Sequence, residues 1–236
     1  MKKMLKDFRP DSFEDIILLV SAYRPGPMQF LPEIIQTKQY RDGRCKEAPE
    51  HSINIDNDSL KRILDPTYGC IIYQEQVMQI CTDVAGFTMG HADNVRKYMS
   101  KKKETKLAEE REDFIDGCRD RSGISEQDAN DLFDKMTDFA RYAFNKSHAT
   151  CYALVSFFTA YYKKYYPETF FSVTFDHMQK LDEIVPLRSE LSKFGLSLCP
   201  PSLEESTNKF RAVGNKIYFG YKTIKGMSNI NICSGY

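Results

Sequence analysis

Ser125-Glu-Gln-Asp-Ala129-Asn-Asp-Leu132-Phe133-Asp-Lys-Met136, residues 125–136, reads as one amphipathic helix. Its apolar positions recur at intervals of three and four, so they share one face, and Ser125 is placed to cap the free N–H groups at the start. The same period dominates from residue 12 to about 195, which predicts a mainly α fold. Upstream, Asp11 and Glu14 have capping-box character before the face Phe13, Ile16, Ile17 and Val20, and Pro25-Gly26-Pro27 ends that helix by Arg24. A second helix is expected over 31–40, an exposed loop over 42–57, and a short helix capped by Asn57 or Asp58 and stopped at Asp65-Pro66. Cys70 to Tyr73 reads as a short buried extended piece, followed by a helix from Gln74 to Ala85 with Gly86 behind it. Thr88 can cap the next helix. A highly charged helix is predicted over 103–121 and an aromatic one over Ser147–Tyr165. A last helix is expected over 181–194, or from Pro186 if that proline, which falls inside the span, marks the true start.

After Gly195 the pattern changes. Phe210 to Val213, Gly214-Asn215 and Lys216 to Tyr221 read as a β-hairpin with a two-residue turn. The expected division is a helical domain over 1–195 and a smaller region over 196–236.

The composition narrows the classes of function. Of 236 residues, 42% are hydrophobic and 28% charged, enough for a packed core. Lys plus Arg is 33 and Asp plus Glu is 33, which excludes a uniformly basic nucleic-acid coat but not a local patch. No apolar run is long enough to span a membrane, and the N-terminus lacks the apolar core of a secretory signal. The seven cysteines are odd in number and contain no Cys-x-x-Cys pair, so they read as reduced thiols of a cytoplasmic protein. Asp56-Asn57-Asp58, in a polar loop before a helix, reads as a cap and not as a two-metal site. There is no phosphate-binding glycine loop and no nucleophile elbow, so no catalytic or metal-ligating residue is assigned.

Four segments could carry chemistry. Arg96, Lys97, Lys101, Lys102, Lys103 and Lys106 place six cations against one anion, Glu104, which suits the phosphates of a nucleotide or nucleic acid. A solvated helix face, balanced by the acids that follow, has the same pattern. Arg141-Tyr142-Ala143-Phe144-Asn145-Lys146-Ser147-His148 is a polar, aromatic and cationic junction before a long helix, and a helix N-terminus beside Lys146 and Arg141 is a natural anion site. His148 and Tyr152 are one turn apart and could flank one ligand. Ordinary capping reads the same way. The aromatics Phe157, Phe158 and Tyr161 are expected in the core, although aromatic rings can also stack on bases. Tyr23-Arg24-Pro25-Gly26-Pro27 fixes the exit angle of Arg24, or is simply a turn.

Taken together, several segments resemble the alpha subunit of bacterial DNA polymerase III, the C-family replicative polymerase. They are Phe13-Glu-Asp-Ile-Ile, Tyr23-Arg-Pro-Gly-Pro-Met, Thr67-Tyr-Gly-Cys-Ile-Ile-Tyr-Gln-Glu-Gln-Val-Met-Gln-Ile, Ala92-Asp93 followed by Arg96-Lys97 and Met99-Ser-Lys-Lys-Lys, and Tyr142-Ala-Phe-Asn-Lys-Ser-His-Ala followed by Tyr152-Ala-Leu. Pro200-Pro-Ser and Tyr218-Phe-Gly-Tyr-Lys-Thr-Ile-Lys-Gly-Met also follow its pattern. The matched part is the fingers region, so the resemblance implies a multi-helix fingers domain with a small C-terminal β-hairpin. It implies a segment of a DNA-directed DNA polymerase, a nucleotidyltransferase, that closes over the incoming dNTP and the DNA template-primer during replication. Arg96 and Lys97 would touch the triphosphate, with Lys101, Lys102 and Lys103 following. Tyr142, Asn145 and Lys146 would line the nascent pair, with Arg141 and Tyr152 beside them, and Ser147 and His148 would guard against a ribose 2′-hydroxyl; Arg24 is a further candidate. The chain departs from the family at Ala143, often Gly, and at Lys97, often Arg, whose bidentate geometry Lys lacks.

The resemblance further implies that palm, thumb and phosphoesterase-like domains lie outside this chain, that the chain is a fragment opening at an internal methionine, and that a helix-hairpin-helix region begins near its end. The expected partners are template-primer, dNTP, the remaining polymerase domains and replisome subunits. Mg²⁺ is expected in the complete polymerase and no cofactor on this segment, which alone should not polymerise DNA. The competing reading is a non-catalytic helical module binding nucleic acid or protein through residues 96–106.

Overall fold

Local capping chemistry sets several of the helix starts. The structure, a computed structural model, describes residues 1–227 except Lys102, Arg141, Gln179, Lys180 and Lys225. The tail that contains Cys233 and the expected start of a helix-hairpin-helix region lies largely outside the described residues. The order is α1 (Lys2–Phe8), α2 (Phe13–Ala22), α3 (Leu31–Arg41), α4 (Asp58–Leu64), α5 (Gln74–Gln79), α6 (Met89–Lys101), α7 (Glu104–Ser122), α8 (Glu126–Ala140), α9 (Lys146–Tyr165), α10 (Pro167–Asp176), α11 (Leu181–Leu191), β1 (Ser197–Cys199), β2 (Arg211–Val213) and β3 (Lys216–Tyr218). The fold is mainly α, as the apolar period predicts.

The side-chain oxygens of Asn57 and Ser125 accept from Leu60 N and Asp128 N, and Thr88 caps His91 N at 3.3 Å. At α2 the cap is Ser12, not Asp11: Ser12 Oγ accepts from Asp15 N, and Asp11 N donates to Asp15 Oδ2. Ser12 has the extended backbone that a cap needs.

The chain forms two compact units, Met1–Leu154 and Val155–Tyr236, with the boundary inside α9. The division expected after residue 195 falls within the second unit.

The first unit has two apolar clusters. One joins α4 to α8 through buried Leu60, Val77, Val95, Phe114 and Phe133. The other joins α1, α2 and α3 to Cys70, Ile72 and Tyr73 and to Ala149 and Ala153 at the start of α9. Between them runs the extended piece 70–73, buried throughout. It is entered through Tyr68 and Gly69, both with positive φ (56° and 93°). For a tyrosine this backbone is strained, and the ring is held accordingly: its hydroxyl donates to Asp15 at 2.7 Å and it meets Phe8 edge-on at 5.5 Å.

Lys38 lies beside that pair, 4% exposed, with Asp11, Asp42 and Asp15 at 2.6, 3.5 and 3.6 Å. Burial alone would lower its pKa. The hydrogen bond to Asp11 and the neighbouring carboxylates outweigh that and hold the ammonium above its ordinary value.

The second unit packs α10, α11 and a three-stranded sheet around Phe171, Phe175, Leu191 and Ile217. β2 and β3 form the expected hairpin, with Ala212 opposite Ile217 and Gly214 at φ 56° in the turn. Strand β1 adds to the other edge of β3 in parallel, Leu198 opposite Ile217, a pairing no local turn announces. Pro186 sits inside α11 rather than at its start.

The aromatic helix corrects another expectation. Phe157, Phe158 and Tyr161 are 45%, 48% and 42% exposed, so they are not core residues of this chain. α9 carries aromatics around much of its circumference, and periodicity cannot say which arc another element covers.

Gln76, 4% exposed, fixes the extended piece. Its carbonyl oxygen accepts from Ile72 N (2.8 Å) and Tyr73 N (2.9 Å), and its amide donates to Ile63 O and Thr67 Oγ1. Gln76→Leu keeps the bulk but strands two buried N–H groups. The expected cost is about 2–6 kcal/mol at roughly 1–3 per orphaned group, read from urea unfolding; a loss below ~1 kcal/mol would show that Gln76 does not hold the segment.

Candidate functional site

The site is assembled where two segments seventy residues apart meet. Phe144 N donates to Ile72 O at 2.9 Å and Gln74 N to Phe144 O at 3.0 Å, so Tyr73 and Phe144 lie side by side as a parallel bridge. This places the start of α5 against the start of α9. Asn145 caps α9, its side-chain oxygen accepting from His148 N at 2.9 Å.

Lys146 N donates to both oxygens of Glu75 at 3.0 and 3.1 Å, and Asn145 Nδ2 donates to Glu75 at 3.3 Å. The helix N-terminus expected to receive an anion is therefore occupied by a resident carboxylate. The physical reason is the demand itself: orphan N–H groups and the positive helix end attract the nearest acid, and the bridge brings Glu75 within reach. The Lys146 ammonium pairs with Glu14 at 2.8 Å and lies 5.4 Å from the Tyr73 ring centre. A cavity of about 300 Å³ lined by Tyr73, Glu75, Gln76 and Lys146 adjoins this cap.

Arg96 stands close by. Its Nε and Nη2 donate to Asp93 at 3.0 and 2.7 Å, and its Nη1 donates to Gln74 Oε1 at 3.2 Å. Gln74 in turn donates to Ala143 O at 3.2 Å. One glutamine thus links the basic helix to the Tyr142–His148 junction. A guanidinium has five N–H donors; these three bonds leave one on each Nη for an outside acceptor. Lys97 pairs with the same Asp93 at 2.6 Å. The Lys97 and Arg96 hydrogen bonds hold the Asp93 carboxyl below its ordinary pKa, so it stays ionised. The triad carries a net charge of +1, less than the two free cations the sequence suggests. Lys101 and Lys103 are exposed, and Lys103 and Lys106 lie over the Tyr98 ring at 5.7 and 5.8 Å. Lys102 and Arg141 lie outside the described residues.

Arg24 serves this junction from within. It stacks on Phe144, 4.3 Å from the ring centre, and donates to Ser21 O and to Tyr142 O. Gly26, at φ 98°, leaves room for the Tyr142 ring, into which any Cβ would project. Tyr142, Asn145, Ser147, His148 and Tyr152 are exposed, with the His148 ring 5.4 Å from Phe144 and 4.7 Å from Tyr152. Arg96 and Lys97 are thus joined through Asp93 and Gln74 to the junction at Ala143, and Asn145 and Lys146 to the start of α5 through Glu75, while Lys101 and Lys103 are exposed further along. Sequence reading missed Gln74, Glu75 and Asp93. Asp93 had a local signal, being three and four residues before its cations, whereas the reach of Glu75 and Gln74 has none.

Asp56-Asn57-Asp58 does not fit a catalytic metal pair. Asp56 is bound to Lys61 and Asn57 is the α4 cap. Among the described residues no helix is long and apolar enough to cross a membrane. Burial pushes the Cys81 and Cys118 thiols up to about 12, which makes them poor nucleophiles.

Replacing Glu75 by Ala removes the ionic cap of α9. A loss of about 1–2 kcal/mol is expected, with faster amide exchange at Lys146 and Ser147; unchanged exchange there would show that the carboxylate is not the cap.

Sequence comparison adds ancestry to this geometry. The model of one family, the bacterial DNA polymerase III alpha subunit finger domain, matches residues 1–122. Among similar curated proteins, the DNA polymerase III subunit alpha of Borreliella burgdorferi is 37% identical over 231 residues, covering 98% of this chain and 19% of the relative. The corresponding subunit of Pasteurella multocida is 41% identical (96% of this chain, 20% of the relative), and that of Escherichia coli is 38% identical with the same coverage. The chain spans about a fifth of the length of the curated relatives it matches.

Proposed function

This chain belongs to the bacterial DNA polymerase III alpha subunit finger domain family, and on that premise we propose that it is the nucleotide-selecting segment of a replicative DNA polymerase. It offers Arg96 and Lys97 to the triphosphate of an incoming dNTP, and Tyr142, Ser147, His148 and Tyr152 to its sugar and base. The observation that carries this reading is the path Arg96–Gln74–Ala143, which ties a guanidinium with two unused N–H groups to the exposed aromatic and polar junction.

The chemistry of each part follows from its setting. Asp93 and Gln74 hold the Arg96 guanidinium in place, so little side-chain freedom remains to be lost when it meets phosphate oxygens. Lys97 adds a point charge without a bidentate fit. Lys101 and Lys103, both exposed, add positive charge for phosphates beside this pair, and Lys102 joins them on sequence alone. His148 sits between two rings at the exposed start of α9, a position suited to contact with a sugar edge. Phosphoryl transfer itself, with the Mg²⁺ that supplies charge neutralisation in such enzymes, is assigned to carboxylates beyond this chain. Its further partners are then the other polymerase domains and replisome subunits.

The test is a fluorescence-anisotropy titration of the chain with labelled primer-template and, separately, with dNTP. The double change Arg96→Ala, Lys97→Ala is expected to weaken dNTP binding about tenfold, ~1.4 kcal/mol, and to weaken template-primer binding with it. It should also flatten the salt dependence, by about 0.9 in log–log slope for each phosphate left unneutralised. Equal affinity in the variant would remove that pair from the site. Binding of duplex alone, indifferent to His148→Ala, would favour the second reading, a non-catalytic helical module that binds nucleic acid or protein.

A further inference from the structure

A second constellation lies at the seam of α6 and α7, apart from the residues assigned to nucleotide. His91 on α6 brings its Nε2 to 2.5 Å from Glu110 Oε2 on α7. Asp113 follows Glu110 by three residues and so shares its face. One ligating atom from each of the three lies within 4.8 Å of the others. We propose that His91, Glu110 and Asp113 form a binding site for a divalent transition-metal ion of the zinc type.

The surroundings favour ligation over a chance meeting. The His91 ring is stacked on Phe87 at 4.1 Å with 9° between planes, and Phe87 meets buried Phe114 edge-on. The imidazole plane is thus set from the core side, and the ring nitrogen faces the carboxylates. The backbone at His91 is fixed by the Thr88 cap. All three ligands stand on helices, which hold donors more firmly than loops do. The His91 and Glu110 side chains are 33% and 15% exposed and Asp113 is exposed, so the site is half-sunk with an open side for ion entry and a water ligand.

The donor set selects the metal. An imidazole disfavours Mg²⁺ and Ca²⁺, which prefer all-oxygen shells, and suits Zn²⁺ and its neighbours. Two carboxylates and a neutral imidazole balance the charge of a divalent ion. Metal–ligand bonds of about 2.0–2.2 Å require the His91 and Glu110 atoms to part by less than an ångström, within the reach of side-chain rotation. Three protein ligands and one water make an open site, weaker than a closed four-ligand structural zinc. The ion joins α6 to α7 and braces the helix that carries Arg96.

Isothermal titration of the 236-residue chain with ZnCl₂, and the visible absorption of added Co²⁺, test this. One equivalent is expected to bind, with the intense d–d bands of a low-coordinate Co²⁺, and to raise the melting temperature. His91→Ala should abolish all three effects and Asp113→Asn should weaken binding at least tenfold. If His91→Ala does not fold, as judged by circular dichroism, Asp113→Asn at its exposed position carries the test. Absence of binding, or binding unchanged in the variants and hence owed to thiols elsewhere, would reduce the group to a His91–Glu110 ion pair and overturn the proposal.

Discussion

Two backbone hydrogen bonds between the 72–74 segment and Phe144 set the starts of α5 and α9 side by side, and the candidate nucleotide site depends on that alignment. The extended piece 70–73 is not part of the three-stranded sheet, and buried as it is, its polar groups need partners. Gln76 satisfies two of its N–H groups from one side and Phe144 completes the other. Once that alignment is made, α5 and α9 begin beside each other. Glu75 then falls onto the free end of α9, Gln74 falls between Arg96 and Ala143, and Arg24 closes over Phe144.

Electrostatics within the unit follow a rule of local pairing. The chain has equal numbers of acidic and basic residues, and the cations near the site are matched nearby: Arg96 and Lys97 by Asp93, Lys146 by Glu14, Lys38 by three aspartates. Such pairs cost less to bury than lone charges and hold long side chains in single orientations. Exposed positive charge is found at the end of α6, where Lys101 and Lys103 reach solvent, and along α1, where Lys2, Lys3, Lys6 and Arg9 do.

What could be read in advance was what is local. Asn57, Thr88, Ser125 and Asn145 act as caps because a capping side chain and its N–H are three residues apart, and the same window is visible in the sequence. The hairpin at Gly214 and the helical class were legible for the same reason. The Arg96 and His148 segments were marked by their composition and motifs, but not the glutamine between them. Glu75 reaches Lys146 across seventy-one residues, β1 joins β3 without a tight turn, and His91 meets Glu110 across nineteen. The aromatics of α9 misled because an apolar face says that something covers it, not whether that cover belongs to the same stretch of chain.

The Glu75 plug at α9 has a consequence for selectivity. A carboxylate fixed on a neighbouring helix acts at an effective concentration of millimolar or more, whereas a free anion competes at its bulk level. Small monovalent anions therefore lose to it, because they bring one interaction where the protein already supplies one. The α9 end is thereby closed to small free anions by a charge the fold carries with it.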